Sequence, residues 1–216
     1  MSQAPGLREL KKQRTRQLIS DTARRLFAER GFDAVPVAEI ARAAEVSEAT
    51  VFNYFPTKED LFFSGLEAFE RELLTNIRDR TPGESVLSAF GRFVLAPRGL
   101  LAARDPEQVE YLAAISRVIA ESASLLAREQ QIYAKYTAAL ARLLAHEADA
   151  GPDDVEPWLV ARTLIGLHQA MVDYSRREIL AGTRNPILAR RVRRQGQRAL
   201  ELLSRGLGDY GARPTA

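Results

Sequence analysis

Apolar side chains recur at spacings of three and four along most of the chain, the pattern of helices that each bury one face. Leu18, Ile19, Thr22, Ala23, Leu26 and Phe27 mark a first helix from about Leu7, and Gly31 stops it. Pro36 opens a second, short segment with Val37, Ile40, Ala41 and Ala44 on one face. Ser47 is a good cap for a third, with Val51, Phe52 and Phe55 on its buried side. Pro56 ends that helix, and Thr57 caps the next, with Asp60 in capping-box position. Leu61, Phe62, Leu66, Phe69, Leu73 and Ile77 then carry one stripe to about Arg80, which predicts a continuous helix of roughly 20 residues, or about 30 Å.

Thr81-Pro82-Gly83 is a break, and the pattern beyond it stays helical. Helices are expected over about 84–95, 106–120, 122–148, 156–180 and 186–204, with a loop over 96–104 and Asp153 and Glu156 as a capping box. The fold class expected is therefore all-α, with about nine helices. A small N-terminal domain (7–56) is followed by a connecting helix (57–80) and a larger helical domain (81–206), with mobile tails at 1–6 and 207–216.

Two segments too short to be stable helices alone, Val37 to Ala44 and Ser47 to Phe55, are separated by two residues only. That is the layout of a helix-turn-helix unit, which presents its second helix to the DNA major groove. The outer positions of the second segment suit such a role. Asn53 can bridge adenine, Glu48 can accept from cytosine, and the Ala49 or Thr50 methyl can touch a thymine methyl. Thr50 and Tyr54 can instead donate to phosphates. An ordinary polar helix face has the same composition.

Composition narrows the classes. A hydrophobic share of 46% is ample for a core, and the absence of cysteine removes disulfides, thiolate metal sites and cysteine nucleophiles. No apolar run approaches the roughly 20 residues needed to span a bilayer, so a soluble cytoplasmic protein without a membrane partner is expected. The net charge of +3 hides an asymmetry: residues 1–30 carry a surplus of five positive charges and residues 184–205 a surplus of six. Arg14, Thr15 and Arg16, in the basic stretch from Arg8 to Arg16, can contact phosphate. A solvated face accounts for the second block better.

The run IARAAEVSEATVFNYFPTKEDLF resembles the signature of TetR-type (tetracycline-repressor-like) transcriptional regulators, and ISDTARRLFAERGFDAVPV resembles that family's first helix and Gly-Phe turn. The likeness covers about residues 10–65. Four positions depart from the pattern. Glu45 stands where the family has a turn glycine, which asks a non-glycine residue to adopt a left-handed conformation. Phe52 replaces a tyrosine, Tyr54 replaces a histidine, and Pro36 replaces a threonine cap. The resemblance implies a dimer that binds palindromic operator DNA as a repressor and is released by a small-molecule effector. It implies DNA contacts from Arg14, Thr15, Arg16, Val37, Ser47, Glu48, Ala49, Thr50, Asn53, Tyr54 and Lys58. It also implies a ligand pocket in the larger domain and a dimer interface on the last two long helices.

Pocket candidates, chosen as aromatic and polar residues at helical spacing, are Phe90, Phe93, Tyr111, Ile115, Tyr133, Tyr136, Trp158, Arg162 and Tyr174. The dimer face is expected to draw on Leu164, Leu167, His168, Met171, Leu200 and Leu203. His146, Glu147, Asp149, Asp153 and Asp154 surround a helix end and a helix start, where solvated caps explain them better than a metal. With two histidines, no cysteine and no HExxH, G-x-S-x-G or phosphate-cradling loop, no enzyme and no cofactor is expected. The alternative is a helical scaffold that binds protein rather than DNA; it leaves the Thr50, Tyr54 and Lys58 spacing unexplained.

Overall fold

A computed structural model describes residues 6–97, 106–183 and 185–207, and the described residues form ten α-helices and no strand. The terminal residues 1–5 and 208–216, expected as tails, and most of the 96–104 loop lie outside the described residues. The chain divides into two compact units. The first holds residues up to Leu66 together with Arg117–Leu126, and the second holds the rest.

The first unit is built on α1 (Leu7–Arg30), whose inner face buries Ile19, Ala23, Leu26 and Phe27. Gly31 ends it at φ 82°, a conformation glycine adopts at little cost, and its N–H bonds to the Phe27 carbonyl. Leu18, expected on the buried face, is 51% exposed, because Ile19 and not Leu18 faces the core. The chain then turns through Phe32 and Val35, both buried, into α2 (Val37–Ala43), with Pro36 at the cap and not inside the helix. α2 packs on α1 and on α3 (Glu48–Tyr54), and α1 also packs on α4 (Lys58–Phe62). Phe27, Phe32 and Phe62 form an aromatic core with centroids 5.1–5.9 Å apart.

The continuous helix expected over 57–80 is in fact two. α4 closes at Phe63, residues 63–65 form a turn, and α5 (Leu66–Arg78) follows. Two local features act against helix here. Gly65 is a weak helix former, and the Ser64 hydroxyl hydrogen-bonds to Ser20 on α1. The expected nine helices become ten through this break.

In the second unit, α6 (Val86–Val94) is the centre, with Val86, Leu87, Ala89, Phe90, Phe93 and Val94 all buried. Ser85 caps it by accepting from the Ser88 N–H. Arg92 joins Glu84 (3.1 Å) to Asn76 on α5 (2.7 Å), and Asn76 donates to the Ala89 carbonyl, so α5 and α6 are tied by polar bonds. α7 (Pro106–Glu121) and α8 (Ala123–Ala148) each have residues in both units. α9 (Glu156–Leu180) and α10 (Asn185–Leu207) pack on each other and on α6. Close approach is possible because α10 meets α6 and α9 over glycines: a Cβ at Gly91 would lie 2.8 Å from Leu200, and one at Gly196 would lie 2.7 Å from Leu95 and 2.9 Å from Met171. Asp154, not Asp153, caps α9 by accepting from the Glu156 N–H. Glu147, expected as a solvated cap residue, instead meets the buried Arg80 at 2.7 Å.

Candidate nucleic-acid interface

The turn between α2 and α3 sets the aim of α3. The Val46 N–H reaches the Ala41 carbonyl at 2.9 Å and the Glu45 N–H reaches Arg42 at 3.2 Å, the paired bonds of a Schellman motif. The residue between them must be left-handed, and Glu45 is, at φ 55°. A side chain there costs roughly 1 kcal/mol relative to glycine. Ser47 then starts α3 by accepting from the Thr50 N–H at 3.1 Å, and its hydroxyl also meets the Thr50 hydroxyl at 2.8 Å.

α3 has two distinct sides. Val51 and Phe55 are buried against the unit, while Thr50 and Tyr54 are half-buried on the flank. Glu48, Ala49, Phe52 and Asn53 are exposed. At about 100° per residue these four span an arc of about 140° on one face. Of the expected readers, Glu48, Ala49 and Asn53 therefore share that face. Phe52 was expected inside and is 46% exposed, so it joins them. Val51, Phe52 and Phe55 all fit an apolar stripe by residue type, and only the packing direction of α3 separates the one that faces out.

The far end of α3 is held by α1. The Arg16 guanidinium donates to the Tyr54 carbonyl at 3.0 Å, one of the acceptors a helix end leaves unsatisfied, and lies 4.6 Å over the Phe55 ring. Arg16, expected on phosphate, thus braces the end of α3. The exposed cations beside it are Arg8, Lys11, Lys12 and Arg14, and Lys12 and Arg8 repeat its position one and two turns earlier. The Thr15 hydroxyl bonds back to the Lys11 carbonyl at 3.1 Å. Val37, half-buried, is the first residue of α2.

Lys58, also expected on phosphate, rests inward. Its ammonium lies 4.4 Å over Phe32 and 5.7 Å from the Phe27 centroid. Burial there lowers its pKa from the usual lysine value, and the carboxylates of Asp33 and Glu59 push it back up. The arrangement is a half-buried cation resting on the buried rings of the first unit's core.

The pocket candidates separate into three groups in the second unit. Phe90, Phe93, Tyr133 and Tyr136 are buried, whereas Trp158 (49% exposed), Arg162 and Tyr111 lie on the surface, and Ile115 and Tyr174 are half-buried. Trp158 and Arg162 are exposed on α9, away from the fully buried Leu164. The interior cluster includes two residues assigned elsewhere or missed. Phe69 stacks on His168 at 4.6 Å and 20° and touches Phe93 and Tyr136, and Tyr133 meets His168 edge-on at 6.0 Å. Desolvation among these rings pushes the His168 pKa down to about 4, so the ring is neutral. Beside it the buried Glu129 binds Arg176 at 2.6 Å, and Arg176 also nears Asp173 at 3.6 Å. Burial raises the pKa of the Tyr133 phenol, and the Glu129 charge adds to the rise. Neither Glu129 nor Arg176 stood out in the sequence, since the two are 47 residues apart.

The residues expected on a dimer face also divide between interior and surface. Leu164 and Met171 are buried within their own unit, Leu200 packs over Gly91, and His168 belongs to the aromatic cluster. Leu167 and Leu203 remain half-exposed. The outward apolar residues are instead Val155, Trp158 and Leu159 at the start of α9 and Leu202 on α10.

Residues 19–64 match the model of bacterial regulatory proteins, tetR family. The HTH-type transcriptional regulator TcmR of Streptomyces glaucescens is 32% identical over 106 residues, covering 49% of this chain and 47% of TcmR. The HTH-type transcriptional regulator LuxR of Vibrio harveyi is 42% identical over 64 residues, covering 30% of this chain and 31% of LuxR. The chain thus spans less than half the length of these curated relatives. In fold, it is similar to native NalD, the secondary repressor of the MexAB-OprM multidrug efflux pump in Pseudomonas aeruginosa, with a TM-score of 0.55 at 20% identity over 90% of this chain and 98% of that one. The transcriptional regulator FadR from Bacillus subtilis, in complex with stearoyl-CoA, gives a TM-score of 0.53 at 19% identity over 87% of this chain and 96% of that one. Among the described residues, no helix is long and apolar enough to cross a membrane.

Proposed function

We propose that this chain, whose residues 19–64 match the model of the tetR family of bacterial regulatory proteins, is a DNA-binding transcriptional repressor. In this reading a homodimer binds a palindromic operator and a small molecule releases it. The observation that carries the reading is the exposed face of α3. Glu48, Ala49, Phe52 and Asn53 point outward from a helix capped by Ser47, aimed by the turn at Glu45 and braced by Arg16. A helix held at both ends, with groups able to meet base edges on its open side, suits the major groove. The exposed Arg8, Lys11, Lys12 and Arg14 supply the sequence-independent phosphate attraction.

One seven-residue helix reads few base pairs, and a two-fold dimer doubles the reading over two half-sites. The outward apolar residues Val155, Trp158 and Leu159, with Leu202 and Leu203 on α10, supply surface for such a contact. The effector site is the interior cluster of Phe69, Phe93, Tyr133, Tyr136 and His168, which offers flat apolar surfaces beside the Glu129–Arg176 pair. An effector acts there only if it binds one arrangement of the protein better than another.

Selection from random double-stranded DNA with the full chain tests the reading. A two-fold symmetric consensus is expected, bound by a protein that sediments as a dimer. Recovery of no consensus would leave the face of α3 without a base-reading role.

A further inference from the structure

We propose that Phe52 reads thymine: its exposed ring packs on the 5-methyl group of one thymine in the major groove of each half-site. This rests on the DNA-binding reading above and goes beyond it, by giving one exposed apolar side chain a base to recognise. The ring is 46% exposed, although its neighbour Val51 and the residue one turn on, Phe55, are almost completely buried. Folding of the first unit therefore does not account for a phenyl group at this position.

Its place on the face points to the groove. Taking Glu48 as zero, Phe52 lies at about 40°, Ala49 at about 100° and Asn53 at about 140° around the helix. The middle of the exposed arc is thus apolar, Phe52 beside Ala49, and its two margins carry the hydrogen-bonding groups of Glu48 and Asn53. A phenyl ring has no hydrogen to give a phosphate, so at the rim of the groove it would strip water from the phosphate without replacing the lost hydrogen bond. On the groove floor the apolar feature that distinguishes one base pair from the others is the thymine methyl, which A·T presents and G·C does not. Asn53 at one margin can take an adenine through its N6 and N7, so an A·T step beside the Phe52 contact is the expected operator feature.

The experiment replaces thymines of the selected operator one at a time by deoxyuridine, which removes the methyl and leaves the hydrogen-bonding edge intact. Equilibrium binding of the full chain is expected to weaken about fourfold per half-site at one thymine position, the worth of one buried methyl group. Phe52→Ala is expected to bind more weakly to the thymine operator and to show no further loss at that position. Phe52→Tyr, which keeps the ring, is expected to keep the loss. Because the side chain is outside the core, both variants should melt as the parent does. Wild-type indifference to every thymine methyl, or a Phe52→Ala protein that still loses affinity on methyl removal, overturns the proposal while leaving DNA binding intact. Absence of any selected DNA overturns both readings, and this is seen before any thymine is replaced.

Discussion

The two units place their distinctive side chains in opposite ways. In the first, chemistry is turned outward: the buried side of α3 is plain packing by Val51 and Phe55, and its groups of interest meet solvent. In the second, the distinctive groups are turned inward, with a neutral histidine against a phenyl ring and a carboxylate buried beside a guanidinium. The difference separates recognition from stability. Substitutions on the exposed face of the first unit should change what is bound with little effect on folding. Those in the interior of the second should change folding first.

The largest break in that contrast is expected at Arg176. Arg176→Ala leaves the Glu129 carboxylate buried without its partner, and loss of one member of a buried pair costs about 3 kcal/mol or more. Chemical denaturation should read this as a lower midpoint, with operator affinity per folded molecule unchanged. A midpoint equal to the parent's would mean that the pair contributes nothing to folding.

The next effect depends on pH. His168 takes a proton at about 4 in the folded chain and near 6.5 when unfolded, so the unfolded chain binds the proton first as pH falls. The neutral ring's contribution is complete above pH 6.5, declines between 6.5 and 4, and levels off below. Comparison with His168→Phe isolates it from the carboxylates. The parent should lose on the order of 3 kcal/mol more than the variant across that window. Parallel pH profiles would show that the histidine is not desolvated.

Lys58 tests the contrast within the first unit, since a phosphate contact and an aromatic platform predict different readouts. From the 4.4 Å approach to Phe32, Lys58→Ala should lower stability by about 0.5–1 kcal/mol. If the ammonium also leaves the rings for a phosphate, the dependence of binding on salt should become shallower by about one ion per half-site. A changed slope with unchanged melting would assign it to phosphate alone. The smallest effect is expected at Glu45, where Glu45→Gly relieves the left-handed strain and should raise stability by about 0.5–1 kcal/mol without altering DNA preference. A loss of stability would mean the side chain makes a contact that outweighs its backbone cost.

Much of the first unit was legible in the sequence because local chemistry marks its corners. Gly31, Pro36, Ser47, Pro56 and Thr57 each impose a stop, a cap or a turn that depends on few distant contacts. The left-handed Glu45 was legible from the resemblance, which places a turn glycine at that position. The exposure of Phe52 was not, because a phenylalanine beside Val51 fits an apolar stripe until the direction of α3 is known. The break at 63–65 was hidden because the spacing of Leu61, Phe62, Leu66 and Phe69 runs through it unchanged. In the second unit the helices could be read from periodicity, but the site could not. Whether Trp158 faces out and Tyr133 faces in depends on helices brought together from far along the chain, as with Gln130 and Gln169, 39 residues apart, or Glu129 and Arg176, 47 apart. Aromatic identity carries no such information.

The central claim, that the outward face of α3 reads bases, is tested most directly by repeating the random-DNA selection with Asn53→Ala. The account predicts an unchanged consensus except at one position in each half-site, where preference relaxes by about 1–3 kcal/mol. A uniform loss of affinity with the consensus intact at every position would contradict it.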